Sequence, residues 1–119
     1  MTAETAASFA ENYETAYQVN RFLANDPDKV VNYLQIPGGV PDWAVAEHAR
    51  GYLVGVNGEL KTGERLDNGP DATAITLHGD FGFAAWYYLA DRFALRKGVK
   101  MLREGPDPDM SGADVVVRD

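Results

Sequence analysis

The chain contains no cysteine, which excludes a disulfide framework, a thiolate nucleophile and a thiolate-ligated metal site. Serine is nearly as scarce, with only Ser8 and Ser111, and neither lies where a nucleophile would be held rigidly. There is no Gly-x-Ser-x-Gly elbow, no Gly-Lys-Ser/Thr phosphate loop and no Gly-x-Gly-x-x-Gly strand turn. A serine hydrolase or a nucleotide kinase is therefore disfavoured. No stretch approaches the roughly 20 apolar residues of a membrane-spanning helix, so no membrane contact is expected. Residues 1–10 carry Glu4 and lack both a basic start and an apolar run, so no secretory signal is read and a cytoplasmic location is expected. Basic residues are also few. Eleven Lys and Arg against eighteen Asp and Glu leave a net charge of −7, which argues against a nucleic-acid partner.

What remains is an ordinary soluble composition, 45% apolar and 24% charged over 119 residues. The length suits one domain, 1–119, and a domain of this size buries roughly 65% of its unfolded surface. Phe9, Tyr13, Ala16, Tyr17, Leu23 and Ala24 fall on one helical stripe, with Glu11, Asn12, Glu14, Thr15, Gln18 and Arg21 on a wet face. A helix is predicted over 3–25, stopped before Pro27. Asp26-Pro27-Asp28 opens a short second helix through Tyr33 and Leu34, with a strand as the rival reading. After the Ile36–Pro41 break, Trp43 to Arg50 reads as a third helix.

Residues 52–56 read as a strand, and Asn57-Gly58 is the strongest hairpin signal in the chain. Residues 62–71 form a polar loop, and 72–78 a further strand. Phe81 to Lys97 has two readings. As a strand it places Phe81, Phe83, Ala85, Tyr87 and Leu89 on one face. As a helix it has Asp80 at the N-cap, Gly98 past the end and basic residues in the last turns, and this reading is preferred. With a strand at 99–103 it completes a β-α-β unit. A loop over 104–112 precedes an edge strand at 113–118. The expected fold class is α/β or α+β: N-terminal helices followed by a small mixed sheet with one β-α-β unit.

One place is suited to chemistry, the strand-to-helix turn His78-Gly79-Asp80-Phe81-Gly82. Ligands gather beyond strand ends in open α/β sheets, and a helix start offers free N–H groups to an anion. His78 and Asp80 are the candidate catalytic pair, and Gly79, Phe81 and Gly82 would line the ligand. Beside this stands the plainer reading in which Asp80 caps, Gly79 turns and His78 ends a strand. His48, in Glu47-His48-Ala49-Arg50, has no metal-ligand spacing to His78, so no metal and no cofactor are expected. The functional expectation is a small interaction or assembly module without its own catalysis. A homo-oligomer, most simply a two-fold dimer, is expected from the apolar residues between Phe81 and Leu95. The alternative is a domain or enzyme for a small anionic ligand at 78–82. Acidic mimicry of nucleic acid ranks third, because the acids are scattered.

Overall fold

The computed structural model describes residues 1–25, 33–35, 38–65, 75–105 and 107–118, with the backbone alone at 25, 33–35, 62–65, 75–81, 117 and 118. Helix α1 spans Ala3–Asn25, as its periodicity predicts. Thr2 caps it reciprocally: the Thr5 amide donates to Thr2 Oγ1 at 3.2 Å and the Thr2 amide to Thr5 Oγ1 at 3.0 Å. The strands are β1 (Tyr33–Gln35), β2 (Gly38–Gly39), β3 (Val45–His48), β4 (Gly51–Arg65), β5 (Ile75–Leu89), β6 (Phe93–Val99) and β7 (Asp114–Arg118). They form one sheet in the order β1-β4-β5-β6-β7, with β2 and β3 also paired along β4. The architecture is α+β, and strands dominate it.

Several sequence expectations are corrected. No β-α-β unit is present among the described residues, and every described strand pair is antiparallel. Residues 81–97 are not a helix: they form the second half of β5, the turn Ala90–Arg92 and most of β6. The period-2 reading wins because Phe83, Ala85, Tyr87 and Leu89 all lie on the helix side, and its aromatic residues suit a pleated surface. Asp80 and Gly98, which resembled caps, are strand residues. Residues 100–103 lie outside β6, so the strand expected at 99–103 ends as it begins.

The third helix shrinks to a 3-10 turn, Asp42–Ala44, followed by strand β3. Tyr33 and Leu34, the end of the second expected helix, lie in strand β1, the rival reading, while 26–32 lie outside the described residues. Asn57-Gly58 does not turn; it pairs with Ala84 and Phe83 in mid-strand, and β4 continues through 62–65. The hairpin sits instead at Ala49-Arg50, where both residues take positive φ, 46° and 72°. Holding non-glycine residues there costs about 1–2 kcal/mol each. A hydrogen bond from Tyr88 Oη to the Ala49 carbonyl, 2.8 Å, secures the turn.

The helix lies across one face of the sheet. Ala6 and Ala10 are its points of closest approach, buried with Val54, Val56, Ala85, Tyr87 and Leu89. The buried stripe is thus rotated from the one the large side chains suggest. Phe9 and Leu23 are 36% and 54% exposed, and Ala16 also faces solvent. Small residues occupy the contact line because backbone and sheet approach closely there.

Glu14 continues the Ala6–Ala10 line, and it is fully buried. Arg96 of β6 grips it with both arms, Nε to Oε1 at 2.7 Å and Nη2 to Oε2 at 2.9 Å. Tyr87 Oη donates to Oε1 at 2.7 Å and Gln18 Nε2 to Oε2 at 2.6 Å. The guanidinium also lies over the Tyr17 ring, 3.8 Å from its centroid. Burial first, then the hydrogen bond to Glu14, pushes the Tyr87 phenol well above its ordinary range. Burial disfavours the Arg96 cation, but bonding to Glu14 outweighs it and the net shift is upward.

Two outcomes follow from this geometry. Removing either charge strands the other in the interior, so Glu14→Leu or Arg96→Leu alone should cost about 3–5 kcal/mol in urea unfolding. The double variant should recover most of that loss, because no buried charge is left unpaired. The raised Tyr87 phenol favours the protonated side chain in the folded state. Its stabilisation is complete below the ordinary tyrosine pKa of about 10 and is lost as pH rises beyond it. Tyr87→Phe should therefore flatten the alkaline limb of a stability-versus-pH curve.

Candidate functional site

The five residues His78 to Gly82 lie within strand β5, not at a helix start. Gly79, Asp80, Phe81 and Gly82 pair with Thr62, Lys61, Leu60 and Glu59 of β4. His78 has no partner in the register, because Gly79 faces Thr62 and Leu77 faces Gly63, which makes it the extra residue of a β-bulge. The side chains of 78–81 lie outside the described residues, while Gly82 is exposed. The free N–H groups that motivated an anion site belong to a helix terminus that is not formed here. In a ladder those groups bond to the neighbouring strand.

His48 ends β3 and pairs with Gly51 of β4, whereas His78 falls beside Thr62 and Gly63 of the same strand. At the rise of a strand the two histidines are about 35–40 Å apart, too far to share an ion. Among the described residues no cluster of histidine and carboxylate side chains suits a metal. The Glu14–Tyr87–Arg96 constellation resembles an acid/base site in its residue types. Its carboxylate and phenol are fully enclosed, and each holds a partner, so it is structural.

The face of the sheet turned away from the helix carries more accessible chemistry. Its small core is Ala44, Ala84 and Leu102, with Trp86 and Val99 against it. Leu102 belongs to the strap, residues 100–105 and 107–113, which leaves β6, lies over the back of the sheet and returns to β7. Gly55 makes room for it: a Cβ there would stand 3.0 Å from Leu102 and 3.1 Å from Ala44. Asp107 Oδ2 meets His48 Nδ1 at 3.1 Å across the strap's far end. On the return, Lys97 Nζ donates to the carbonyls of Asp109 and Ser111, 2.8 and 2.9 Å. The Asp109 carboxyl is held below its usual range by hydrogen bonds from Ser111, with Lys97 adding to the shift.

Two features result. Between strap and sheet lies a recess of about 210 Å³ walled by Trp43 and Trp86, whose rings meet edge to face at 6.5 Å. Its floor is Ala44, Ala46 and Leu53, and Arg103, Glu104 and Asp107 stand around it. Beyond it, Tyr88, Leu95 and Val115 face one another in register across β5, β6 and β7. Phe93 lies against Tyr88 at 5.8 Å, and His48 meets the same ring edge-on at 6.2 Å. Sequence reasoning missed both features. A helix over 81–97 sends Trp86 and Tyr88 to different sides, whereas residues two apart on a strand share a face.

No protein-family model matches the chain, and no curated protein or solved structure matches it significantly. No helix among the described residues is long and apolar enough to cross a membrane.

The strap should be held mainly by Leu102, not by the ion pair at its end. Leu102→Ala should cost about 2–4 kcal/mol by thermal or denaturant unfolding, as buried leucines do. His48→Ala, which removes a pair with side chains 47% and 57% exposed, should cost less than about 1 kcal/mol.

Proposed function

We propose that the protein is a small assembly module without catalysis of its own, whose partner is a second copy bound through the back of β5, β6 and β7. The observation that carries this reading is the registered row Tyr88, Leu95 and Val115 with Phe93 beside it. Phe93 is 40% and Val115 62% exposed, so the row ends uncovered at the last strand of the sheet. The shape supports it too: the radius of gyration is 16.5 Å, against about 13.5 Å for a compact chain of this length. An elongated sheet with one helix covers less of its own apolar surface than a sphere does.

Docking by the face is favoured over strand addition at the edge. A bulge at Val116 interrupts the β6–β7 register, and β7 begins and ends in charge, at Asp114 and Arg118. Bulges and terminal charges are the usual defences of an edge strand. The alternative, a small anionic ligand at His78 to Gly82, loses its helix terminus and retains only the bulge at His78.

Sedimentation across the micromolar range tests the proposal. A mass near twice the 13.0 kDa chain is expected. Phe93→Ser or Val115→Lys should weaken association about tenfold or more, the loss of roughly 1.4 kcal/mol of contact energy. A monomer at every concentration, at low and high salt alike, rejects the reading.

A further inference from the structure

We infer that the recess lined by the touching Trp43–Trp86 pair, beneath the strap, is a binding site for a neutral ring polyol, that is, a sugar residue. The walls and the rim make different demands, and together they narrow the ligand. Two indoles over an alanine and leucine floor offer apolar contact to a compact ring, and the volume of about 210 Å³ has room for one. Trp43 is 40% exposed, so one wall is open to a ligand arriving from solvent. The rim is polar: Arg103 and Glu104 are both exposed, and neither has a hydrogen bond or ion pair among the described residues.

Charge then decides between ligand classes. An anion would meet Glu104 and Asp107 at the mouth of a chain with net charge −7. A cation would meet Arg103. A purely apolar ring would cover Arg103 and Glu104 without giving either a partner, which is costly. Hydroxyl groups both donate and accept, so one neutral molecule can serve the guanidinium and the carboxylate together. A sugar joins such hydroxyls to a C–H face that packs on an indole. The strap keeps the rim in place, through Leu102 on Gly55 at one end and His48 on Asp107 at the other.

The chain has only two tryptophans, and both line the recess, so emission excited selectively through tryptophan, away from the tyrosine band, reports on this site. The probes are glucose, galactose, mannose and N-acetylglucosamine, and the disaccharides built from them. A saturable change in emission with at least one of them is expected. Arg103→Leu and Glu104→Gln should each weaken it about tenfold, as loss of one charge-assisted hydrogen bond does, with no change in Tm. Because both side chains are exposed, these variants retain the fold. The inference is overturned if no sugar gives a saturable change, or if the change survives both substitutions. It is equally overturned if free aromatic amino acids or a proline-rich peptide saturate the signal while the sugars do not. The assembly reading is decided by sedimentation of Phe93 and Val115 variants, which do not line the recess, so each idea can fail without the other.

Discussion

The pairing of Glu14 with Arg96 is the constraint on which the remaining structure depends. A helix resting on a sheet through alanines is free to rotate or slide, because Ala6 and Ala10 fit many neighbouring positions equally well. A buried carboxylate is not tolerant in that way. It must meet its guanidinium with both oxygens, and the Tyr87 hydroxyl and the Gln18 amide must be within reach at the same time. Any other rotation leaves a charge in the interior without a partner, at a cost of several kcal/mol. The pair therefore adds little net stability, since apolar residues of equal volume would pack as well. Its contribution here is to select one placement of α1 over its neighbours.

That placement decides what the sequence makes legible. The span of α1 follows from spacing and capping, and both are local. Which residues it buries does not, because Phe9 and Leu23 look more core-like than Ala10 and Glu14. An acid on a line of alanines, four residues after Ala10, is the available signal, but its charge places it with the wet face. The strand at 52–56 and the edge strand after 113 were legible because β-branched residues and flanking charges speak for themselves. The segment 81–97 was not. Its alanines favour a helix in isolation, yet Ala84, Ala85 and Ala94 are small because something lies close on each side of the sheet. Propensity cannot distinguish an alanine chosen for helix formation from one chosen for clearance.

Turn positions are hard to read from residue type for a related reason. Asn57-Gly58 has the backbone freedom a two-residue turn requires, but freedom does not compel a turn, and Gly58 instead sits opposite Gly38 and Phe83. Ala49-Arg50 has no such freedom and turns nonetheless, because β3 and β4 are registered by Val45, Ala46, Leu53 and Val54 on either side. Sheet pairing over several residues outweighs about 2–4 kcal/mol of strain at two. Residues 78–82 run as strand and not as a turn, because the helix expected after them is not formed.

The same constraint sends accessible chemistry to the back of the sheet. With α1 fixed over Val54, Ala85 and Tyr87, the helix face is closed, and alternation along β5 delivers Trp86 and Tyr88 to the opposite side. Those two residues are neighbours on that face, about 7 Å apart along the strand. Trp86 belongs to the recess under the strap, and Tyr88 to the apolar row running towards β7. His48 joins them, since it touches the Tyr88 ring and holds Asp107 at the rim. A partner pressing on Phe93 and Tyr88 therefore bears on His48, which meets the far end of the strap at Asp107, and a ligand in the recess bears on the strand that carries Tyr88. The two surfaces are chemically separate and mechanically adjacent, a consequence of one period-2 strand lying beneath both.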